Sequence, residues 1–560
     1  MRLLKSFFSV TVLLIVVTSA LEAQDRRERI PQILEQFDDG AITANEAFTR
    51  MNVVFQNGAI HKCATPIHIF AHKHHSEISP SLLSSMEKAK ISSAASTYIS
   101  PSGKFEFTYE TTGDDAVPAD DANSNGIPDY VERAAQAADF SHQKQIQELG
   151  FPDPIVVGTS YKVSFRDMGF YGFVEEDISS PAGTRMVLEN DFVGFASNDD
   201  PEGNQYGALK VTVAHEFKHA IQYKQNSFEG DSDNWAEMDA TLLEEVTYDE
   251  VNDYYNYLDG FANNPFNNPG STVIEGSYED ITWALFFSEY YDELFWTDVW
   301  KRIEDSVTDL ALLVAVKREV EARGDDFDSV LSNLYLWHYS SGINSIAGYG
   351  FDEAPNYPDA DIEMEFQGVD AAEVTDASIS RFASHYYEVE PAFEDGQVTI
   401  NMEYEDPTMQ LGMHVYFKNG ASEQRNYTAN ETGSDNIFTP YFWDDIEKIG
   451  LVFTNTDFNT SNTYSFKVSS EVPDRIILSQ NYPNPFNPQT IIPIKLKEEN
   501  LVTLEVFDNI GRRVATIFEG QLSAGSYEFS YDASNLASGV YLYKLVAGKE
   551  TKFKKMAVIK

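Results

Sequence analysis

The chain has 560 residues, and its content of 42% hydrophobic and 13% aromatic side chains excludes a protein that is disordered or fibrous over most of its length. At roughly 100 to 200 residues per domain, this length predicts about three to five folded units. Acidic side chains number 89 against 40 basic ones, and the formal net charge of −49 at pH 7 argues against nucleic acid and anionic membranes as partners.

The N-terminal residues have the order of a secretory signal peptide. Basic residues within the first five positions precede an apolar run at 7–17, which small residues follow. This run is too short to span a bilayer, which takes about 20 residues. We therefore predict a signal peptide over 1–23, cleaved after Ala23 or Ala20. No later segment is long and apolar enough to predict a transmembrane anchor.

A polar, helix-prone region follows the predicted signal peptide. Apolar residues recur at helical spacing between residues 30 and 37. The region ends before the first strong strand pattern, Lys104–Tyr109, in which aromatic residues alternate with polar ones. A region between a signal peptide and a folded domain has the position of a propeptide, and we assign it to residues 24–98.

The rest of the chain predicts an α+β domain followed by two all-β Ig-like sandwiches. Helical and strand patterns are mixed over 99–374. After residue 375 the helical period largely disappears, and alternating runs predict a β-sandwich over 375–472. A Pro- and Asn-rich stretch at 481–488 lies near the start of a last strand-rich segment, 476–560. From Leu478 onward 10 basic residues outnumber 8 acidic ones, so this module differs in charge from the rest.

The strongest chemical signal is the sequence His215-Glu216-Phe217-Lys218-His219. It lies in a stretch without Pro or Gly, which predicts a helix with both histidines on one face. Neutral imidazole is a good Zn²⁺ ligand, so His215 and His219 are predicted metal ligands. Glu216 would lie beside the metal without binding it, which is the position of a general base.

A zinc hydrolase needs a third protein ligand and keeps a fourth position for water. Glu237 stands 18 positions beyond His219 in a second candidate helix, and we predict that it is this ligand. Glu244, on the same face of that helix, is the alternative. It would either bind the metal or accept a hydrogen bond from a metal-bound imidazole.

These residues predict peptide hydrolysis. Zinc lowers the pKa of water toward about 7, Glu216 accepts the proton, and the activated water attacks a carbonyl that the metal polarises. The reaction also needs an oxyanion donor. Tyr278, at the start of the next predicted helix, is our candidate, with His338 and His385 as alternatives.

Four blocks of the sequence resemble a family of secreted bacterial metalloendopeptidases typified by a myxobacterial protein. They are Asn125–Val131, Met186–Phe192, Thr212–Gln222 and Trp235–Glu245. The resemblance covers roughly Gly40 to Phe382 and implies a zincin-like metallopeptidase domain over 99–374 with a gluzincin-type site. It implies that His215 and His219 are zinc ligands, that Glu216 is catalytic and that Glu237 is the third ligand.

A second metal site is predicted in the loop from Asp121 to Glu132. Oxygen side chains occupy its positions 1, 3, 5, 9 and 12, and Gly126 stands at position 6, which is the EF-hand pattern for Ca²⁺. The alternative is an Asx-rich turn that caps the following helix. The predicted calcium ligands are Asp121, Asn123, Asn125, Ile127, Asp129 and Glu132.

Cys63 is the only cysteine, so the chain has no intramolecular disulfide. It lies in the propeptide-like region, beside a tract that holds five of the 11 histidines within residues 61–75. A thiolate is a strong Zn²⁺ ligand, so Cys63 could occupy the open coordination position until processing removes it, as a latch of the cysteine-switch type. The alternative is a buried free cysteine beside a polar tract.

The C-terminal module resembles the sorting domains of the type IX secretion system, which have an Ig-like β-sandwich. The matching residues are Asn481–Pro488, Val506–Gly511, Leu536–Tyr541 and the basic end Lys552–Met556. The resemblance implies translocation across the outer membrane by the type IX machinery.

Together these patterns predict a secreted zinc endopeptidase that acts on proteins or peptides, with calcium as a structural ion. The alternative hypothesis is a cell-surface adhesin or binding protein with a non-catalytic metal site. Intact Glu216 favours the peptidase.

Overall fold

The computed structural model describes residues 30–56, 62–83, 95–227, 232–258, 264–271, 278–304, 312–367, 372–391, 396–430, 433–471 and 476–560. The predicted signal peptide lies outside these ranges. The chain divides into two compact units. The first comprises Met1–Asn268, Val273–Phe327 and Phe351–Pro358, and the second comprises Pro269–Thr272, Asp328–Gly350 and Asp359–Lys560.

The first unit contains a five-stranded sheet in the order β1-β2-β3-β5-β4. β2, β3 and β5 run parallel, while β1 and β4 are antiparallel to their neighbours and form the edges. Along β2, buried aromatic residues alternate with half-buried ones, as the sequence pattern predicts. The strands are β1 (Ser96–Ile99), β2 (Phe105–Tyr109), β3 (Tyr161–Arg166), β4 (Gly172–Glu176) and β5 (Thr184–Glu189).

The helices of the first unit include an N-terminal group with its own apolar core, to which Ile33, Phe48 and Phe70 contribute. The helix Asp129–His142 continues as a π-helical segment, Gln143–Glu148. The described α-helices are Ile30–Asp38, Ala44–Gln56, Thr65–Lys73, Pro80–Leu83, Asp129–His142, Asn204–Asn226, Ser232–Thr247, Tyr255–Leu258, Ile281–Tyr290, Phe295–Glu304 and Leu312–Arg323.

The helix Asn204–Asn226, called here the HExxH helix, packs against the sheet. Phe217 contacts Phe105 of β2 with ring centroids 5.4 Å apart. On the β4 side, a Cβ atom at Gly172 would lie 2.9 Å from Thr212 Cγ2 and 3.2 Å from Glu216 Cγ. Glycine at this position therefore allows the edge strand to approach the helix where Glu216 stands.

Part of the propeptide-like region lies along the β4 edge of the sheet. The Tyr171 N–H donates to the Lys62 carbonyl at 2.9 Å, and the Ala64 N–H donates to the Gly172 carbonyl at 3.1 Å. Cys63 and Gly172 form a parallel bridge between these bonds. At its other end, the predicted region 24–98 overlaps β1, which pairs with β2, so the sheet begins before residue 98.

The second unit begins upstream of the predicted boundary at residue 375, because Asp328–Gly350 belongs to it. Most of the helix Phe327–Tyr339 lies in this segment, and the Tyr335 hydroxyl donates to the Phe382 carbonyl at 2.7 Å. Two sheets follow, in the orders β11-β10-β13-β8-β6 and β12-β9-β14-β7, and they share one apolar core. The strands are β6 (Met364–Phe366), β7 (Ala372–Ile379), β8 (Ala383–Val389), β9 (Gln397–Tyr404), β10 (Met409–Phe417), β11 (Ser422–Thr428), β12 (Ser434–Phe442), β13 (Ile446–Asn455) and β14 (Asn462–Glu471).

The C-terminal module has a pair of sheets and a core of its own. The sheets have the orders β15-β16-β19 and β18-β17-β20-β21, and buried residues such as Ile492, Leu504 and Leu545 fill the space between them. Among the described residues, no helix is long and apolar enough to cross a membrane. The strands are β15 (Ile477–Leu478), β16 (Gln489–Leu496), β17 (Asn500–Phe507), β18 (Arg513–Leu522), β19 (Gly525–Asp532), β20 (Gly539–Ala547) and β21 (Glu550–Val558).

Candidate metal centre

The HExxH helix places two imidazoles and a carboxylate in the interior of the first unit. His215, Glu216 and His219 have exposed fractions of 1%, 0% and 0%. The Nε2 atoms of the two histidines lie 3.1 Å apart. Residues four apart share a helix face, so the spacing in the sequence accounts for this convergence.

Glu237 joins the two histidines from the helix Ser232–Thr247, called here the Glu237 helix. Its Oε2 atom lies 3.2 Å from His215 Nε2, and its Oε1 atom lies 3.0 Å from His219 Nε2. Tetrahedral zinc, with bonds of about 2.0 to 2.1 Å, separates its nitrogen and oxygen ligands by about 3.3 Å. The three side chains therefore have the spacing and the donor types that suit a zinc ion.

Cys63 supplies a fourth donor to this group. The ligand atoms of Cys63, His215, His219 and Glu237 all lie within 4.8 Å of one another, and all four residues are buried. The Thr65 N–H, at the start of a helix, donates to the sulfur at 3.3 Å. Burial, followed by the charge of Glu216, raises the pKa of the Cys63 thiol well above its usual value. A thiolate at this position therefore needs a neighbouring cation.

The charges in the cluster attract a cation. Burial alone would lower the pKa of His215, but hydrogen bonds with Glu237 and Glu244 outweigh it and raise this pKa to about 10. Burial alone would raise the pKa of Glu237, but His219 and His215 hold it well below its usual value. The carboxylate thus stays ionised, and it can be balanced either by protons on the imidazoles or by a metal ion.

Each imidazole is oriented by a hydrogen bond at its other nitrogen. His215 Nδ1 lies 2.7 Å from Glu244 Oε1, and His219 Nδ1 lies 2.7 Å from Gln222 Oε1. A proton on Nδ1 leaves the Nε2 lone pair for a metal. Of the two roles predicted for Glu244, this geometry corresponds to the hydrogen-bond partner of a ligand. Gln222 is not among the residues predicted from the sequence, although it follows His219 by three positions on one helix.

Gln222 is itself held by a buried ion pair. Its amide donates to Asp239 Oδ2 at 2.8 Å, and the Lys218 ammonium lies 3.2 Å from the same oxygen. The Trp300 indole N–H also donates to Asp239, at 3.1 Å. Lys218 further lies 3.5 Å from the centre of the Phe151 ring. This lysine, inside the HExxH motif, therefore has a structural partner on the His219 side of the centre.

Glu216 lies beside the cluster with little solvation. The Thr65 hydroxyl donates to Glu216 Oε2 at 3.2 Å and accepts the Val174 N–H at 2.9 Å. Glu216 Oε1 is buried and has no hydrogen-bond partner among the described residues. Burial raises the pKa of Glu216, although the two histidines oppose this rise. A carboxylate with a raised pKa suits proton transfer near neutral pH.

Tyr278 lies next to the cluster, in a short 3-10 turn before the helix Ile281–Tyr290. Its hydroxyl accepts the Cys63 N–H at 3.0 Å, and its ring centroid is 6.1 Å from that of His215. The two alternative oxyanion donors belong to the second unit. There His338 Nδ1 donates to the Leu334 carbonyl at 2.8 Å, and His385 Nδ1 contacts the Tyr464 hydroxyl at 2.9 Å.

Lys62, which the sequence analysis did not single out, is completely buried next to Cys63. Its ammonium contacts Glu244 and lies 2.6 Å from Asp253. The rings of Tyr171 and Tyr257 have their centres 4.8 and 5.3 Å from the ammonium. Burial alone would lower the pKa of Lys62, but Asp253 and Glu244 raise it above its usual value. The residue is therefore a charged ammonium inside the protein.

The predicted calcium loop is exposed and turns at Gly126, where φ is 85°. The N–H groups of Asn125 and Gly126 donate to the Asp121 carboxylate at 3.1 and 2.8 Å. The side-chain amides of Asn123 and Asn125 donate to Glu132 at 2.9 and 2.8 Å. The Ile127 N–H donates to Asn125 Oδ1, and Asp129 begins the helix Asp129–His142. This network fits both the calcium loop and the Asx-rich turn.

Similarity to solved structures is distant. One match is tripeptidyl peptidase 2, with 7% identity over 34% of this chain and 24% of that chain, at a TM-score of 0.16. A β-glucuronidase from Faecalibacterium prausnitzii matches with 12% identity over 31% of this chain and 36% of that chain, at a TM-score of 0.12. The adhesin domain of Epf from Streptococcus pyogenes matches with 9% identity over 34% of this chain and 76% of that chain, at a TM-score of 0.13.

The chain thus spans 24% of the peptidase and 36% of the glucuronidase. TM-scores this low do not indicate a shared fold. No curated protein matches the sequence. Residues 480–560 match the family of the secretion system C-terminal sorting domain. The C-terminal module is therefore a type IX sorting domain, and the protein is a cargo of that secretion machinery, exported to the cell surface.

Proposed function

We propose that the chain is a zinc-dependent endopeptidase that hydrolyses peptide bonds after export and is made in a latent form. One observation carries the proposal. Two imidazole nitrogens and the two oxygens of the Glu237 carboxylate converge at separations of 3.0 to 3.2 Å in a buried site, with the carboxylate of Glu216 beside them. Zinc, when bound by His215, His219 and Glu237, would supply the Lewis acid that activates water and polarises a peptide carbonyl.

The protein residues have separate tasks in this proposal. Glu216 accepts the proton of the attacking water and passes it to the leaving amine, and its raised pKa favours the first of these transfers. The Tyr278 hydroxyl accepts the Cys63 N–H at 3.0 Å and donates to the Cys63 carbonyl at 3.4 Å. Once the segment around Cys63 leaves, this hydroxyl is free to donate to the oxyanion of the substrate. Glu244 and Gln222 keep both imidazoles in the tautomer that binds metal.

The experiment compares the wild type with Glu216→Gln in the full chain, cleaved at a protease recognition sequence placed within residues 84–94. We expect one zinc per chain in both proteins and chelator-sensitive hydrolysis of casein by the wild type. The variant should be slower by about 10² to 10⁴-fold, the range for loss of a general acid or base. Glu245→Gln, a buried carboxylate on the Glu237 helix, is the matched control.

A cleaved wild type that binds zinc yet hydrolyses no protein would contradict the proposal. That result would favour the alternative, a surface adhesin with a structural metal site. A chain that binds no zinc would refute both readings of the cluster.

Cys63 is proposed as the latch that keeps the uncleaved chain inactive, because its sulfur completes the donor set. The test is cobalt substitution of the uncleaved chain, since a cobalt–thiolate bond gives a charge-transfer absorption in the near ultraviolet. We expect this absorption in the wild type and its loss in Cys63→Ser and after cleavage. Its absence from the uncleaved wild type would refute the latch.

The loop Asp121–Glu132 is proposed to bind a structural Ca²⁺. Because the chain has one cysteine and hence no internal disulfide, such an ion would add stability outside the cell. We expect millimolar Ca²⁺ to raise the melting temperature of the wild type but not that of Asp121→Asn/Glu132→Gln. Equal shifts in both proteins would favour the Asx-rich turn.

A further inference from the structure

We propose that the pocket filled by Lys62 is the substrate-binding pocket for a lysine or arginine side chain next to the cleaved bond. This inference rests on the proposed peptidase function and adds the class of substrate. It assigns Asp253, Glu244, Tyr171 and Tyr257 as the residues that select a basic side chain.

The chemistry of the pocket suits a basic side chain. Lys62 is completely buried, and its ammonium lies between two carboxylates and two aromatic rings. Asp253 is held from the other side, because the Tyr171 hydroxyl donates to its Oδ1 atom at 3.2 Å. Two buried carboxylates with aromatic walls form a site for an alkylammonium or guanidinium group.

The pocket lies next to the candidate metal centre. Glu244 contacts Lys62 through Oε2 and His215 Nδ1 through Oε1, so one carboxylate links the pocket to a predicted zinc ligand. Lys62 is also adjacent in sequence to Cys63, whose sulfur belongs to the ligand cluster. A substrate residue in this pocket would therefore lie directly beside the reacting carbonyl.

The segment 62–64 binds along an edge strand of the sheet. It adds to the β4 edge through the Tyr171 N–H and the Ala64 N–H, as an extended peptide adds to an exposed sheet edge. In such binding, main-chain hydrogen bonds hold the peptide and side-chain pockets select its sequence. The segment thus occupies the edge that a substrate would use, and Lys62 occupies a side-chain pocket.

The residues that line the pocket lie outside the segment that fills it. Tyr171, Glu244, Asp253 and Tyr257 all belong to the predicted peptidase domain, whereas Lys62 belongs to the propeptide-like region. A neutral side chain would leave both carboxylates without a cation, and such unpaired buried groups discriminate strongly against the wrong substrate. Removal of Lys62 therefore exposes a site that only a basic side chain completes.

The first experiment tests the pocket without catalysis, in the uncleaved full chain. Lys62→Ala removes three carbons and the ammonium, which n-propylammonium can replace. We expect this cation to raise the melting temperature of Lys62→Ala more than 1-propanol of equal concentration does. It should have little effect on Lys62→Met, in which the side chain fills the same space. The added change Asp253→Asn should abolish the advantage of the cation.

An equal effect of 1-propanol and n-propylammonium on Lys62→Ala would overturn the assignment, because the pocket would then select by shape alone. Failure of all Lys62 variants to fold would not end the test, because the second experiment keeps Lys62 intact.

The second experiment measures cleavage by the full chain after controlled proteolysis within residues 84–94, diluted so that the N-terminal fragment dissociates. Peptide mixtures should be cut next to Lys or Arg. For a matched pair of peptides, we expect kcat/KM to be at least about 10²-fold higher with lysine than with norleucine. Asp253→Asn should lower this ratio at least about tenfold, whereas the control Glu245→Gln should preserve it.

Zinc-dependent cleavage without preference for basic residues would overturn this inference and leave the proposed function intact. Absence of any cleavage would overturn the substrate assignment together with the proposed function, while the propylammonium experiment would still decide the chemistry of the pocket.

Discussion

The His215 side and the His219 side of the candidate metal centre contain the same kinds of interaction. Their lysines come from different parts of the chain. On the His219 side, Gln222 binds the imidazole, and Asp239 connects Gln222 to Lys218. On the His215 side, Glu244 binds the imidazole and contacts Lys62 directly. Each imidazole is thus linked through polar side chains to a buried ammonium group.

The difference between the sides lies in which part of the chain supplies the lysine. Lys218 is part of the HExxH helix, which also carries His219 and Gln222. Lys62 comes from the propeptide-like region, so under the proposed function the His215 side would lose its cation when that region leaves. On that proposal, the comparison teaches that one side of the centre would be permanent structure, while the other would exchange its lysine for a group of the substrate.

The largest expected effect is on the free energy of unfolding, and it differs between variants of the two lysines. Lys218→Met should lower the free energy of unfolding by about 3 to 5 kcal/mol, because it leaves Asp239 buried without its cation. The loss should be found in the uncleaved and the cleaved chain alike. Lys62→Met should destabilise the uncleaved chain only, since cleavage removes the residue. Urea unfolding of both forms measures these losses.

Equal stability of wild type and Lys218→Met would contradict the claim that Asp239 depends on Lys218 on the His219 side. If Lys62→Met still lowered stability after the N-terminal fragment had dissociated, the claim that Lys62 leaves the His215 side with that fragment would be wrong.

A smaller effect concerns zinc affinity. Gln222→Ala and Glu244→Ala each remove the acceptor at an imidazole Nδ1, and we expect each to weaken zinc binding by about 10 to 100-fold. Competition with a chromogenic chelator measures the dissociation constants. Gln205→Ala, on an exposed turn of the same helix, is the control and should bind zinc like the wild type. An unchanged affinity of Gln222→Ala would remove that residue from the centre.

The smallest effect concerns Glu289, a half-buried carboxylate that lies near other carboxylates instead of beside a lysine. Burial, and then the charges of Asp352 and Glu353, raise the pKa of Glu289 to about 8 from an ordinary value of 4.5. The folded state therefore binds this proton more tightly than the unfolded state, and stability should fall as pH rises from about 4.5 to 8. Glu289→Gln should reduce that fall by about 1 to 2 kcal/mol in urea titrations. Parallel pH profiles of variant and wild type would refute this assignment.

Much of the fold and of the candidate site follows from local patterns in the sequence. The period of 3.6 residues brings His215 and His219 to one face, and the alternation along β2 gives its buried aromatic residues. The C-terminal module is identified by its Pro- and Asn-rich start and its strand runs, because those local signals are specific. These features depend on neighbours in the chain, which a single sequence displays.

The tertiary structure decided which distant groups meet. The sequence spacing of Lys62, Glu244 and Asp253 does not predict a buried ion cluster. Glu244 lies 182 positions and Asp253 lies 191 positions from Lys62 along the chain. Likewise Cys63 reaches the ligand cluster only because its segment pairs with the β4 edge. The sequence by itself determined the identity and local geometry of the candidate ligands. Long-range packing decided their partners, because the energy of a buried charge depends on the groups that folding brings around it.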